Sequence, residues 1–281
     1  MYKIAHISDT HIKDAKHIHF EFFNRLLKDI KRRKVNHILL TGDIVDYGTT
    51  QEFNLVKNTF DNYGYYDKDK LTVIPGNHDI YGGPSDKMPS YLFIQYCRKL
   101  NFQNAVKKFN EEFFNLDNVK EFPYLKVINN IALIGLNSLY EWDLHENPNG
   151  TNGFIKNSII KKLVNVFDNK EVRDKIKIVL IHHHFSEPMF RKNHIEQRMW
   201  LETEENKMKL YNKKGLIKIF TKYKVDFVLH GHTHISESYK IDNVTYVNSS
   251  GCVNPFTKEK KREYHMITID NNKTKLEKVA I

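Results

Sequence analysis

IPGNHDIYGG, residues 74–83, sets an amide, an imidazole and a carboxylate side by side at Asn77, His78 and Asp79. They follow the apolar run LTVI (71–74) and stand between glycines. Three consecutive polar side chains cannot all face one buried surface, so a packed core has no use for them. A ligand site at the end of a strand does.

The same arrangement recurs on both sides of this stretch. ISDTH places Asp9 and His11 behind the apolar YKIAHI (2–7). LLTGDIVD places Asp43, and beyond it Asp46, behind HILL (37–40). VLIHHHF places His182, His183 and His184 behind IKIVLI (176–181), and VLHGHTH places His230, His232 and His234 at the end of DFVLH (226–230). Each cluster lies at the carboxyl end of an apolar strand, the edge where ligand sites gather in open α/β sheets. Asp9 and His11 are two apart, as are His232 and His234. On extended backbone such pairs point to one side and bind as a unit. Gly42, Gly76 and Gly231 permit close backbone beside the ligands. One D-x-H is noise and one histidine beside a strand is usually structural. Five clusters, each behind a strand, point to a metal site.

Between the clusters the pattern alternates. Phe20, Phe23, Leu27 and Ile30 recur at helical spacing within 17–34, and 51–63 and most of 90–115 also read as helix. YLKVINNIALIGLN (124–137) reads as a hairpin with a type I′ turn at Asn129-Asn130. Residues 140–153 form a loop rich in Asn, Gly and Pro. Helices are expected near 157–168 and 213–223, and successive antiparallel strands over 235–281, with turns near Asp242-Asn243 and Asn271-Asn272. Strand–helix alternation of this kind predicts an α/β fold. No Ser/Gly-rich or Pro-rich linker and no repeat divides the 281 residues, so one domain over 1–281 is expected.

Composition narrows the class. Hydrophobic residues make up 40% and charged residues 28%. No stretch approaches the roughly 18 apolar residues that span a bilayer. MYKIAHIS reads as a strand and lacks the apolar core of a signal peptide, so the expectation is cytoplasmic. Cys97 and Cys252 can build neither a disulfide framework nor a thiolate metal site. The net charge of +10 suits anionic partners such as phosphates, nucleic acid or a membrane surface, although the bias toward Lys, Asn and Ile explains it equally well.

The ordered set DTH (9–11), GDIVD (42–46), GNHD (76–79), HHH (182–184) and GHTH (231–234) resembles the calcineurin-like metallophosphoesterase superfamily, in its bacterial phosphodiesterase and phosphatase branch. The resemblance implies two mixed β-sheets packed as a sandwich and flanked by helices, with a dinuclear centre at one edge. Carried over residue by residue, it implies one metal ion on Asp9, His11, Asp43 and His234. A second would sit on Asp43, Asn77, His182 and His232, with Asp43 bridging. Within HHH the ligand is His182 or His183; His182 follows the strand directly and is preferred. Oxygen and imidazole donors without thiolate suit Mn, Fe or Zn. Two such ions, about 3.5–4 Å apart, clamp a phosphoryl group and supply a bridging hydroxide that attacks phosphorus. His78 would protonate the leaving oxygen or stabilise phosphoryl charge. Asp79 would orient His78 or cap its own loop, and Asp46 is either an orienting carboxylate or a turn residue.

The expected substrate is a phosphodiester or phosphomonoester. A lipid-linked nucleotide pyrophosphatase is the alternative, with 186–212 as a cap whose Met189, Phe190, Met199 and Trp200 grip acyl chains and peripheral membrane contact supplied by the positive charge. A nuclease ranks lower, since no nucleic-acid module follows the motifs. A non-catalytic scaffold is disfavoured, because every motif position keeps a suitable residue. The run TKEKKRE (257–263) reads as a solvated turn.

Overall fold

The protein is described by a computed structural model that covers residues 1–85, 88–113, 121–185, 208–255 and 261–281. Most of the expected cap at 186–212, including Met189, Phe190, Met199 and Trp200, and most of the basic run at 257–263 lie outside the described residues.

The apolar runs form two mixed sheets. In the first, β1 (Tyr2–Ile7), β2 (His37–Thr41) and β3 (Leu71–Ile74) are parallel. The hairpin of β10 (Glu263–Asp270) and β11 (Lys273–Ala280) joins β1 antiparallel, giving the order β11-β10-β1-β2-β3. The second contains β4 (Tyr124–Ile128), β5 (Ile131–Gly135), β6 (Ile176–Leu180), β7 (Phe227–His230), β8 (Ser236–Ile241) and β9 (Val244–Ser249). Its order is β4-β5-β6-β7-β9-β8, with β5, β6, β7 and β9 parallel. Strands β2, β3, β5, β6 and β7 are buried along their whole length. Burial on both faces explains why they read as continuous apolar runs rather than alternating ones.

Ile4, Leu39, Ile74, Leu180, Leu229, Val247 and Ile267 fill the layer between the sheets. Outside the first sheet lie α1 (Ile18–Arg32), α2 (Thr50–Asn62), α3 (Asn77–Tyr81), α4 (Ser90–Lys99) and α5 (Phe102–Phe113). Helix α1 buries Phe23, Leu26, Leu27 and Ile30, spaced as one helical face; Phe20, expected there, is only partly buried. Each of the four contributes about 1.5–3 kcal/mol by leaving water. Thr49 and Glu52 form a capping box that starts α2. Outside the second sheet, α6 (Asn157–Asp168), α7 (Lys170–Arg173) and α8 (Lys213–Lys222) close the fourth layer with Leu163, Phe167, Val172, Leu216 and Phe220. Among the described residues no helix is long and apolar enough to cross a membrane.

The tail forms the expected antiparallel pairs, β8–β9 and β10–β11, with turns at Asp242-Asn243 and Asn271-Asn272, but the two hairpins lie in different sheets. Its first hairpin, β8–β9, extends the second sheet and pairs β9 parallel to β7; its second extends the first sheet. Each hairpin continues whichever sheet has an open edge or apolar partner beside it, and a list of strands does not encode that. At 129–130 the hairpin forms, but only Asn129 has positive φ (53°), whereas a type I′ turn needs both residues there. Asn271 and Asn272 both do, at 47° and 65°.

Candidate metal centre

Strands β1, β2, β3, β6 and β7 deliver their polar residues to one edge of the sandwich, just after the extended backbone stops. Asp9 (φ 55°), His11 (43°), Asp43 (48°), His232 (77°) and His234 (54°) all take left-handed backbone. Residues with a β-carbon seldom do, at a cost on the order of 1–3 kcal/mol each. Cross-strand hydrogen bonds hold these turns. Asp9 N–H donates to the Gly42 carbonyl (3.0 Å), His11 N–H to that of Asp43 (3.0 Å), and His232 N–H to both Asp9 carboxylate oxygens (3.0 Å each). The two-residue spacing therefore does not work through extended geometry. Asp9 and His11 converge through a left-handed turn, and His232 and His234 diverge into different groups.

Those groups are well defined. Asp9, His11 and His234 bring ligand atoms together, and so do Asp43, His182 and His232; a third set, His11, Asp43 and His78, joins them. In the first, His11 Nε2 is 3.1 Å from His234 Nε2, and His234 Nε2 is 3.8 Å from Asp9 Oδ1. In the second, His182 Nε2 lies 3.1 Å from Asn77 Oδ1, 3.1 Å from His232 Nδ1 and 3.4 Å from Asp43 Oδ2. Asp43 Oδ2 is also 3.8 Å from His11 Nε2, so this carboxylate stands between the groups. Backbone packs tightly here. A β-carbon on Gly76 would lie 2.2 Å from Asp43 N, and one on Gly231 2.0 Å from Ser8 Oγ and 2.2 Å from Asp9 Oδ2.

In three of these histidines the far nitrogen fixes the tautomer. His182 Nδ1 donates to the Thr41 carbonyl (2.8 Å) and His234 Nδ1 to that of Asn254 (2.8 Å), leaving each Nε2 with a lone pair aimed inward. His11 Nδ1 faces Asp46 Oδ1 at 3.3 Å, with the same effect. His183 turns away: it accepts from the Ser138 hydroxyl (2.7 Å) and donates to the Thr151 carbonyl (3.1 Å). Of the two candidates it is therefore His182 that meets Asp43. His184 is buried, and His230 bonds the Tyr239 hydroxyl (2.9 Å) on the strand itself.

The donor set suits a cation. Buried acceptor and imidazole atoms face one another at little over 3 Å, with few protons to share among them. Burial disfavours a charged His182, yet Asp43 more than offsets this and lifts it to about 9. Burial raises the Asp43 carboxyl, while His182 and His78 pull it well below the usual carboxylate range. The Asp43 carboxylate thus supplies negative potential that a metal ion would also meet, and an ion there would reverse the His182 shift; burial and then neighbouring imidazoles instead lower His232 and His234, keeping their lone pairs free. His232 Nε2, by contrast, is buried with no partner among the described residues.

His78 is the open side of the site, with 24% of its side chain exposed. Its ring packs edge-on against His11 at 4.5 Å, and its backbone N–H donates to Asp43 Oδ1 (2.8 Å). The residue that orients it is not Asp79. His78 Nδ1 donates to the Asp46 carbonyl (3.1 Å), with Asp46 Oδ1 at 3.6 Å. Asp79 instead accepts from the backbone N–H groups of Gly76 (2.8 Å), Ile44 (2.9 Å) and Val45 (3.1 Å). A short helix begins at Asn77, and a carboxylate three residues past its cap reaches back to unpaired N–H groups rather than sideways to its neighbour. Asp46 also holds Lys13, at 3.0 Å. Burial raises the Asp46 carboxyl, but His11 and His78 more than offset it and leave it far below its ordinary value. Lys13 was invisible in the sequence, where it is one cation among many.

A helix-flanked sandwich of two mixed sheets, with carboxylates and histidines gathered at one edge, defines a metal-dependent hydrolase. Residues 2–236 match the calcineurin-like phosphoesterase family, and the chain belongs to it. A protein of Vesicomyosocius okutanii named "Probable cyclic nucleotide phosphodiesterase" is 22% identical over 280 residues, spanning 96% of this chain and 95% of that one. A glycerophosphodiester phosphodiesterase of Enterobacter lignolyticus is 30% identical over 105 residues, 34% of this chain and 33% of its own. Among solved structures, a dimetal phosphatase from Danio rerio shares the fold with a TM-score of 0.65 at 11% identity, covering 99% of this chain and 96% of that one.

Proposed function

We propose that this chain hydrolyses phosphate esters, diesters ahead of monoesters, with two metal ions of the Mn, Fe or Zn class. Asp9, His11, Asp43 and His234 would hold one, and Asp43, Asn77, His182 and His232 the other. The observation that carries the reading is the position of the Asp43 carboxylate, 3.4 Å from His182 and 3.8 Å from His11, between two groups of inward lone pairs. Bound there, the ions supply Lewis-acid stabilisation of phosphoryl oxygens and lower the pKa of a water. The chain's own residues supply positioning and a proton. Thr41, Asn254 and Asp46 orient the ligands. His78, held through Nδ1 by the Asp46 carbonyl, presents Nε2 on the open side, where its proton reaches a leaving oxygen. Burial opposes its charged form, while Asp43 and then Asp46 favour it, lifting its pKa to about 9 in the metal-free chain. Preference for diesters rests on the printed names of the two relatives. The test is metal content together with turnover of an aryl phosphodiester and an aryl phosphomonoester after replenishment with Mn²⁺. Two ions per chain, both weakened with turnover in Asp43→Asn, are expected. One ion or none in the replenished wild type overturns the dinuclear reading.

A further inference from the structure

His78 is anchored as two of the candidate ligands are. His182 and His234 each donate Nδ1–H to a main-chain carbonyl, and His78 does the same to that of Asp46, at 3.1 Å. A proton fixed on Nδ1 leaves Nε2 with a lone pair whenever the ring is neutral. Two further contacts hold the ring. It meets His11 edge-on at 4.5 Å, and a β-carbon on Gly83 would lie 2.6 Å from it. An acid needs such anchoring as much as a ligand does, so position decides between them. His11, Asp43 and His78 each offer a ligand atom, and the three atoms lie within 4.8 Å of one another. The groups Asp9, His11, His234 and Asp43, His182, His232 meet the same condition. His11 is the pivot: its Nε2 is 3.1 Å from His234 Nε2 on one side and 3.8 Å from Asp43 Oδ2 on the other.

We propose that His11, Asp43 and His78 form an alternative seat for the first metal ion, reached by exchanging Asp9 and His234 for His78. The inference rests on the dinuclear reading above. Both seats use His11 and Asp43, so an ion fills one or the other and never both. The first seat offers two carboxylates and two imidazoles, the alternative one carboxylate and two imidazoles. With less negative charge it is the weaker seat, and its imidazole-rich donors suit zinc better than manganese. It faces the open side, where 24% of the His78 side chain is exposed, so water completes the coordination. An ion there takes the Nε2 lone pair, and the ring then holds no proton for a leaving oxygen. The alternative seat therefore retains the ion and silences the acid in one step.

The test is zinc binding by calorimetry in a double-mutant cycle of the full chain: wild type, His78→Ala, His234→Ala and the two together, repeated with His234→Gln in case the alanine variant folds poorly. Wild type and His78→Ala should bind two ions with equal affinity, because the first seat is intact in both. His234→Ala should still bind two, the weakened first seat passing its ion to His78. Adding His78→Ala in that background should weaken the second ion by at least roughly tenfold. In the cadmium-loaded, nitrogen-labelled His234→Ala chain, the His78 ring nitrogen should show scalar coupling to cadmium, which a merely structural His78 would not. Loss of the second ion in His234→Ala with His78 intact overturns the proposal. So does an equal effect of His78→Ala in both backgrounds, which leaves no coupling between the two histidines. A wild type that binds fewer than two ions is a separate failure: it removes the dinuclear reading, and the alternative seat with it.

Discussion

Asp79→Asn separates the two roles that a carboxylate beside His78 can play. In the structure Oδ1 accepts from Ile44 and Val45 and Oδ2 from Gly76, so one buried side chain ties the turn after Asp43 to the turn that starts at Asn77. Asparagine keeps one oxygen. Turned toward Ile44 and Val45 it preserves two bonds, now uncharged, and sets an NH₂ against the Gly76 N–H at about the old 2.8 Å distance. The loss is one charge-assisted bond, about 1.5–3 kcal/mol, plus an unsatisfied buried donor, about 1–3 kcal/mol. Part returns, because burial and then Asp43 raise the Asp79 pKa, so the native carboxylate is itself disfavoured. A net destabilisation of about 2–4 kcal/mol is expected by urea denaturation. Metal affinity should weaken with it, since Asp43 and Asn77 lose their shared tie. Turnover of good and poor leaving groups should fall by equal factors. A variant of native stability that selectively loses poor leaving groups would refute this reasoning and restore Asp79 as the partner of His78.

His78→Ala should keep both metals and slow turnover by roughly 10²–10⁴, less for a nitrophenolate leaving group that needs no proton; equal losses for all leaving groups would limit His78 to electrostatic stabilisation. Gly231→Ala places a β-carbon against Ser8 and Asp9 and should cost about 1–3 kcal/mol by overpacking and weaken metal binding, whereas Gly215→Ala, with nothing within 4 Å, should be neutral or slightly stabilising. Burial, and then Lys126, push His37 from the ordinary 6.5 down to about 3. Its neutral form therefore stabilises the fold above pH 6.5, and that contribution is lost as the pH falls toward 3, about 2–3 kcal/mol of it by pH 4.5. Denaturation of the wild type and His37→Gln across this range checks the sign: the variant should lose less stability than the wild type.

The layers were legible because parallel strands buried on both faces, such as HILL and IKIVLI, leave unbroken apolar runs, and helices such as α1 leave a periodic stripe. The pairing of the last four strands was not, because β8–β9 and β10–β11 have the same local pattern and differ only in which sheet edge receives them. For the site, the sequence could name residue types behind each strand. It could not give their backbone. The i, i+2 argument presumed extended chain, while Asp9, His11, His232 and His234 all have positive φ. Residue type alone made Asp79 the natural partner for its neighbour His78, but helix α3 turns that carboxylate back onto main-chain N–H groups.

What orients the candidate ligands was largely beyond any reading of side chains. The Thr41 and Asn254 carbonyls fix His182 and His234, and every residue has a carbonyl, so no residue type marks the ones that matter. Asp46 is the intermediate case. Its carboxylate serves His11 and Lys13 while its carbonyl serves His78, so one residue supports a candidate ligand and the candidate acid through two different groups. Replacing its side chain removes the contacts to His11 and Lys13 and lowers the His78 pKa, but leaves the carbonyl that orients the His78 ring. The two functions are therefore separable in part: Asp46→Asn should disturb metal binding at His11 and shift the pH profile of His78 downward while keeping its ring in place, a division that follows from the backbone path and not from the aspartate itself.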